Sequence, residues 1–438
     1  MRSKSKCFLV FSLVFLLANF LWLFYFETSD KNADFSFDQF YVFSGQVKKA
    51  EKKLAGWNLL IEPKGLENYS GKILIYTPLY PEYQVGDVLE IACKLYKPEP
   101  IVDDFGRQFF YDKYLAKDSI YSACSFAKIK VIGQEKNLAF YLFQSKQYFW
   151  NNLNIYLLEP ASSLAKAMLL ADRREIPAEL RSVFAQVGLS HIIAISGLHI
   201  AIIVYLLQYF LLLVGLSRKK SFLFLLLILI FYLYLIAFPS SAVRASLMVM
   251  MVLLGPFLGR SSSSIFSLIL AADIFVLLNR QVLLYDIGFQ LSFLAVLGLL
   301  YYVNFFQRVL IFIPQIFKLR EVMSVTLAAQ VFTWPLIVYY FGIFSFIAPI
   351  ANFLILPFLP LILVLSMFLA LFGAWSFLAS LAAWPLFLCF KLIVYIAQFL
   401  GKLPGAYWEI NNFSAFYLGI SLFFMAVLTF VLKPQDYE

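Results

Sequence analysis

The sequence predicts a polytopic α-helical membrane protein with an N-terminal, extracytoplasmic all-β domain of OB-like type. Three observations predict it. Of 438 residues, 62% are apolar and only 14% charged, against about 25% charged in an ordinary soluble domain. From residue 189 onward nearly all of the chain falls into long apolar runs, close to the roughly 20 residues that cross a bilayer core. Between residues 29 and 138 short β-branched and aromatic runs instead alternate with Gly, Pro and Asp turn signals, the pattern of a small all-β domain. The composition excludes a cytoplasmic enzyme, a disulfide-knotted secreted domain and a disordered protein.

The first element is an apolar run from Cys7 to Phe26, preceded by Arg2, Lys4 and Lys6. It is longer than the roughly 7–15 residues of a signal-peptide core, and no small-residue cleavage site follows it. Glu27-Thr28-Ser29-Asp30 comes instead. Residues 1–28 are therefore predicted to be an uncleaved anchor with a cytoplasmic N-terminus. In the β region, strands are expected at Phe40–Val47, Trp57–Ile61, Ile73–Tyr76, Val88–Leu95 and Ile120–Ile132, with a helix at Phe105–Lys117. Five strands and a helix suit an OB-like barrel, although a β-sandwich gives a similar pattern. Residues 139–188 are mixed in character and read as amphipathic helix at the membrane surface.

The multi-span part, residues 189–438, offers spans at 189–214, 221–238, 242–258, 263–279, 287–306, 322–341, 346–371, 375–400 and 413–432, about ten with the anchor. Pro349, Pro357 and Pro360 interrupt one of them. A broken or re-entrant helix is expected there, since such breaks survive only where protein or a water cavity satisfies the freed backbone.

Charge placement supports this topology. Of 12 Lys and Arg after residue 188, eight fall in loops that the span count places inside: Arg218, Lys219, Lys220, Arg260, Arg308, Lys318, Arg320 and Lys433. Basic residues favour cytoplasmic loops, which puts the β domain on the outer face. The net charge of +9 divides as +3 in residues 1–26, −1 in 27–138, +1 in 139–188 and +6 in 189–438. A nucleic-acid-binding domain is expected to be basic, and the β domain is not. The charge records topology. Cys93 and Cys124 both lie on expected strands of the outer domain, where an oxidising compartment would permit a disulfide between them; two buried free thiols are the other reading.

Few residues can carry chemistry. Both histidines of the chain, His191 and His199, lie in one apolar segment together with Ser196 and Gly197. Polar groups at membrane depth are costly and usually face a cavity or a partner. A spacing of eight places the imidazoles on roughly the same side of a helix two turns apart, and Ser196 lies three before His199. Small residues packing against a neighbouring helix explain the segment equally well. Arg244 is a second costly residue inside a span; near a span end it would snorkel. Gln290 and Ser292 give the span that begins after Asp286 a polar face. These residues describe a helix bundle with a polar interior. A Ser196 nucleophile with His199 or His191 as base would make an intramembrane hydrolase; the same interior would also serve a permease for a small or lipid-linked solute. Two histidines fall short of a zinc site, so no metal or cofactor is expected.

The segment Gly188–Ile202 resembles the signature of the ComEC-type competence proteins, inner-membrane channels for transforming DNA. Met168–Arg173 resembles that family's Leu-Leu-x-Gly-Asp-Arg stretch, with Ala171 in place of Gly. Ser241–Met248 is similar to its Ser-Ala-x-Arg-Ala segment, Gln290–Leu299 to its Gln-Leu-Ser-Phe-x-Ala-x-x-Gly segment, and Asn352–Pro360 to its Asn-x-x-x-x-Pro stretch. The β domain, including Phe110-Tyr111-Asp112-Lys113-Tyr114-Leu115, resembles the family's OB-like domain. The resemblance implies a channel, not an enzyme, that passes single-stranded DNA across the cytoplasmic membrane, with His191, Ser196, Gly197, His199, Arg244, Gln290 and Ser292 along the path. Besides DNA and membrane lipid, it implies a DNA-receptor protein and a cytoplasmic DNA-translocating ATPase as partners, because no nucleotide-binding loop occurs in the sequence. Many family members carry a metallo-β-lactamase-like domain. This sequence has no His-x-His-x-Asp cluster, and the expectation is a short form in which any nuclease is a separate protein or none is used.

Overall fold

Alternating β-branched residues build the first part of the chain. The computed structural model describes residues 11–12, 14–22, 32, 35–53, 56–102, 108–258, 264–315, 318–410 and 413–432. The anchor expected at 1–28 lies mostly outside them, with residues 14–22 helical. The chain forms two compact units, residues 1–147 with 272–286, and residues 148–271 with 287–438. The expected boundaries at 138 and 188 differ from this division, which assigns 148–188 to the second unit and 272–286 to the first.

In the first unit, β1 (Phe40–Lys53), β2 (Gly56–Lys64), β3 (Lys72–Thr77), β4 (Asp87–Tyr96), β5 (Ile120–Ser125) and β6 (Lys128–Gln134) make one sheet. Its order is β1-β2-β3-β5-β4-β6, and β1 also pairs β4, so five strands close into an OB-like barrel and β6 extends the β4 edge. Closure depends on β1 serving two neighbours. Its first half pairs β4 from Phe40↔Lys94 to Gln46↔Val88, and its second half pairs β2. The register shifts between Val47 and Lys49, and such a bulge adds the local bend a strand needs to turn a barrel corner. β3 and β5 run parallel; the other ladders are antiparallel. Val47, Leu59, Ile61, Ile73, Ile75, Leu89, Ile91 and Leu95 fill the interior with no exposed surface. Cys93 on β4 and Cys124 on β5 form a disulfide, their Cα atoms 6.4 Å apart.

Two expectations for this unit change. The strand expected at Ile120–Ile132 is two strands, because Phe126 turns the chain at φ 59°. The helix expected at Phe105–Lys117 is shorter, α1 (Tyr111–Ala116), with Gln108–Phe109 paired instead to Ile101–Val102.

The helices that follow are α2 (Leu138–Tyr156), α3 (Ala161–Leu170), α4 (Ala178–Gln186), α5 (Ser190–Ile193), α6 (Gly197–Leu213), α7 (Arg218–Leu235), α8 (Ser240–Leu254), α9 (Ser264–Leu278), α10 (Val282–Tyr285), α11 (Ile287–Val309), α12 (Leu319–Phe341), α13 (Ala348–Ile355), α14 (Leu359–Phe372), α15 (Ser376–Gly401) and α16 (Ala415–Leu432). Among the described residues, α11, α12, the continuous Ala348–Phe372 stretch and α15 are long and apolar enough to cross a membrane. This is a multi-pass membrane protein. Several other expected spans appear as shorter apolar helices, such as α6 and α8, because the apolar runs are cut by turns that hydropathy does not register. The expected break near Pro357 is a 3₁₀ turn at Leu356–Phe358 between α13 and α14. A two-stranded ladder joins β7 (Ile343–Ser345) to β8 (Tyr407–Glu409).

The surface-lying character expected of residues 139–188 does not extend to α3. Every residue of α3 is buried, Lys166 among them, so this helix is part of the second unit's core. The largest correction concerns residues 189–214, expected as one span. They divide into α5 and α6.

Candidate functional site

The division at residues 194–196 organises the site. Ala194 has ψ 135° and Ser196 has ψ 171°, so the backbone is extended where a helix was expected. Serine is a favoured N-cap, and the α6 cap uses it: the Ser196 N–H donates to His199 Nδ1 at 3.3 Å, and Ser196 Oγ lies 2.9 Å from the same nitrogen. This is a capping box with an imidazole in the place usually held by Glu or Gln. Because Nδ1 accepts a backbone N–H, a neutral ring carries its proton on Nε2. That Nε2 is buried with no hydrogen-bond partner among the described residues.

His191 is elsewhere. It lies on α5, exposed, with Nδ1–H donating to Gly188 O at 3.2 Å. The two imidazoles therefore do not share a helix face two turns apart, since no helical register runs through residues 194–196. Gly188 itself sits at φ +74°, and a Cβ there would lie 2.5 Å from Ala348 Cβ. Both facts require glycine.

The extended break frees Ile195 O, which accepts a hydrogen bond from Ser241 Oγ at 2.7 Å. Ser241 belongs to the first turn of α8. One turn later, Ala245 packs on the backbone of Gly197, 3.6 Å from where a Cβ would stand. Arg244, beside it, is only 1% exposed, so it does not snorkel. Its Nη2 donates to Gly288 O at 2.6 Å, and its Cζ lies 5.5 Å and 5.9 Å from the ring centroids of Phe289 and Phe293. A guanidinium over aromatic faces is a favourable cation–π arrangement. Gln290 and Ser292 are half-buried on the same helix, α11, two and four residues past Gly288. Thus α8 joins the break to the first turn of α11, bringing Ser196, Gly197 and His199 into one constellation with Arg244. His191 is the member that stands apart.

Sequence reasoning missed Lys166 in this unit, and gave Asp172 and Asn352 no role beyond the family-like stretches that contain them. Lys166 is 1% exposed; its Nζ donates to Asn154 Oδ1 at 2.7 Å and Glu175 Oε2 at 2.6 Å, and lies 3.8 Å from the Trp150 ring centroid. A lone lysine within Ala161–Leu170 was the available signal. Beside it, Arg174 Nε donates to Asp172 Oδ1 at 2.6 Å. Asn352, buried on α13, donates to Thr326 Oγ1 at 3.3 Å, while its Oδ1 has no partner among the described residues. The hollow lined by Gln307, Gln315, Lys318, Arg320 and Glu321 does not include His199 or Arg244. Among the described residues no three His, Cys, Asp or Glu side chains are grouped to hold a metal ion.

The family model described as "Competence protein" matches residues 168–435. The chain belongs to the competence protein family. Every residue of the constellation lies within the matched region, and the barrel lies before it. ComE operon protein 3 of Bacillus subtilis (strain 168) is 26% identical over 250 residues, 57% of this chain and 31% of that protein. The match thus spans less than a third of that relative's length. No solved structure matches this chain.

Proposed function

We propose that this competence protein is a channel that passes single-stranded transforming DNA across the cytoplasmic membrane, and that it is not an enzyme. Arg244 carries the reading. An arginine at the centre of a membrane helix costs about 2.5–3.5 kcal/mol on the insertion scale, and this one, five residues into the apolar helix α8, is buried on a carbonyl and two rings. Phosphates passing through the bundle need counter-charge and bases need surfaces to stack or slide on; a guanidinium beside Phe289 and Phe293 offers both. The extended break at 194–196 supplies the non-helical backbone that occurs at membrane depth where protein or a water-lined path satisfies it. As the seat is packed shut, passage requires α8 and the first turn of α11 to part.

The same reading places the N-terminus in the cytoplasm and the barrel outside, as the basic loops favour. DNA would be handed over by a receptor protein at the outer face, and a partner ATPase inside would supply the driving force. Labelling of an engineered barrel cysteine by a membrane-impermeant reagent checks the orientation. For the channel itself, Arg244→Ala should abolish entry of DNA into DNase-protected form while DNA binding at the cell surface persists. Undiminished transformation by that variant would overturn the reading.

A second reading, an intramembrane serine hydrolase, is favoured by the 2.9 Å contact between Ser196 Oγ and His199 Nδ1. Nucleophilic catalysis also needs a third group that orients the base, and among the described residues His199 Nε2 has none. The helix cap accounts for the contact. Ser196→Ala should leave transformation largely intact, whereas a hydrolase would lose all activity.

A further inference from the structure

Within the second unit, α15 presents two faces. Ala379, Ala382, Leu386, Phe390, Ile393 and Ala397 are buried against the rest of that unit. On the opposite side Leu381, Trp384, Leu388, Leu392, Tyr395 and Phe399 are exposed, at the three- and four-residue spacing that makes one helical stripe. Lipid covers an apolar stripe of this kind without difficulty. Two features of this one are polar.

Lys391 is the first. It is exposed between Leu388 and Leu392, and among the described residues no hydrogen bond, ion pair or ring contact reaches it. α15 has 26 residues and is apolar enough to cross a bilayer. Trp375 just before it and Lys402 just after it are both exposed, and residues of these types mark the membrane–water boundary. Lys391 stands ten residues before Gly401, the last of the helix, or about 15 Å along the axis at the usual rise. An extended lysine side chain reaches about 6 Å, and it leaves a helix pointing toward the N-terminus, away from this nearer boundary. The other boundary is farther still. Snorkelling therefore does not carry the ammonium out of the apolar core, where lysine is among the costliest residues.

Pro385 is the second, exposed on the same stripe. It has no N–H to give to the carbonyl of Leu381, one turn earlier, and Leu381 is exposed as well. In membrane helices such freed groups are met by neighbouring helices, polar side chains or water. One face thus offers a positive charge that needs an acceptor and a carbonyl that needs a donor.

We propose that the exposed face of α15 is the docking surface for a membrane helix of another protein, one that carries an aspartate or glutamate at the depth of Lys391. Charge complementarity sets the occupant. α15 has no acidic residue, so a second copy laid on the same face would set lysine against lysine. The exposed sides of α7 and α16 in a second copy offer no acid either. A carboxylate from a different chain would pair with the ammonium in a medium of low dielectric, where their attraction is strong, and the apolar neighbours would pack around the pair. This surface lies beyond the channel reading and does not depend on it.

Photo-crosslinking from the full chain in its native membrane tests it. A benzoylphenylalanine probe replaces Leu388 in one strain and Phe423, exposed on α16, in another. The Leu388 probe should give an adduct whose partner peptide, identified by mass spectrometry, is an apolar span containing Asp or Glu; the Phe423 probe should not give that adduct. Lys391→Met should lower the adduct yield by about three- to thirtyfold, the worth of one interhelical polar contact in a bilayer, while the chain keeps its abundance and its melting temperature in nanodiscs. Lys391→Glu should lower the yield further, and replacing the partner's acid by lysine should restore it in that background. Should Lys391→Met fail to accumulate, this charge exchange still decides the matter. No adduct, or an adduct with lipid alone, with a second copy of this chain or with a span lacking Asp and Glu, overturns the proposal. So does an undiminished yield from Lys391→Met in membranes holding equal amounts of both chains, or no recovery in the charge exchange.

Discussion

Replacing Arg244 by Met separates the cost of a buried charge from its use. The parent guanidinium is 1% exposed, donates a short charged hydrogen bond to Gly288 O at 2.6 Å and has two rings within 6 Å. The hydrogen bond contributes about 1.5–3 kcal/mol and the ring contacts about 0.5–2 kcal/mol. Against these stands the desolvation of an ion, several kcal/mol even after relaxation. These contacts offset much of that cost, and methionine fills a similar volume with an adaptable apolar chain. Replacing a whole buried ion pair by well-packed apolar residues is commonly neutral or stabilising by about 1–4 kcal/mol, because the desolvation of the charges is relieved. Arg244→Met should therefore match or exceed the parent's stability in nanodiscs, followed by thermal or denaturant unfolding, while DNA entry falls to background. A loss of more than about 2 kcal/mol would refute the reasoning, because it would make the guanidinium a structural tie whose removal disrupts uptake only by unfolding the bundle.

Gly298 on α11 faces α12 so closely that a Cβ would sit 2.2 Å from Ala328 O, well inside the roughly 3.5 Å of an ordinary contact; Gly298→Leu should cost at least about 1–3 kcal/mol, and an unchanged unfolding midpoint would disprove this close approach. The Cys93–Cys124 bridge closes a separation of 31 residues, worth about 3–4 kcal/mol on the loop-entropy estimate, so the oxidised chain should run differently from the reduced one in gels and Cys93→Ser should lower barrel stability; two titratable free thiols in the native protein would contradict it. Burial pushes the Tyr69 hydroxyl, which lies 2.7 Å from Ser122 Oγ, up from 10.0 to about 12. The unfolded phenol ionises first, so this contribution is intact below pH 10 and is lost as the pH rises toward 12. Barrel stability should fall across that interval, and Tyr69→Phe should flatten the fall, read from phenolate absorbance alongside circular dichroism.

Much of this protein was legible in its sequence, for one physical reason: hydrophobicity and turn chemistry are local properties. Alternation with period two marked the strands, apolar runs marked the membrane-competent helices, and a few polar residues stood out against them. Arg244, Ser196 and His199 were found that way. Their mutual placement was not, because hydropathy has no term for a three-residue extended break, and Ala194-Ile195-Ser196 reads as helix when only polarity is scored. Tertiary structure decided that break, since Ser241 must satisfy Ile195 O and Gly188 must admit Ala348. It separated His191 from His199 and sent Lys166 into a core that its charge alone would forbid, by providing Asn154, Glu175 and Trp150 to receive it. It also closed the barrel, because the double pairing of β1 is a relation between residues some fifty apart, such as Phe40 and Lys94. By itself, then, the sequence determined which apolar stretches must be buried and marked Arg244 and His199 as costly within them, though not Lys166. Only the folded chain decided what each costly residue is paired with, because those partners are distant in sequence and are chosen by packing.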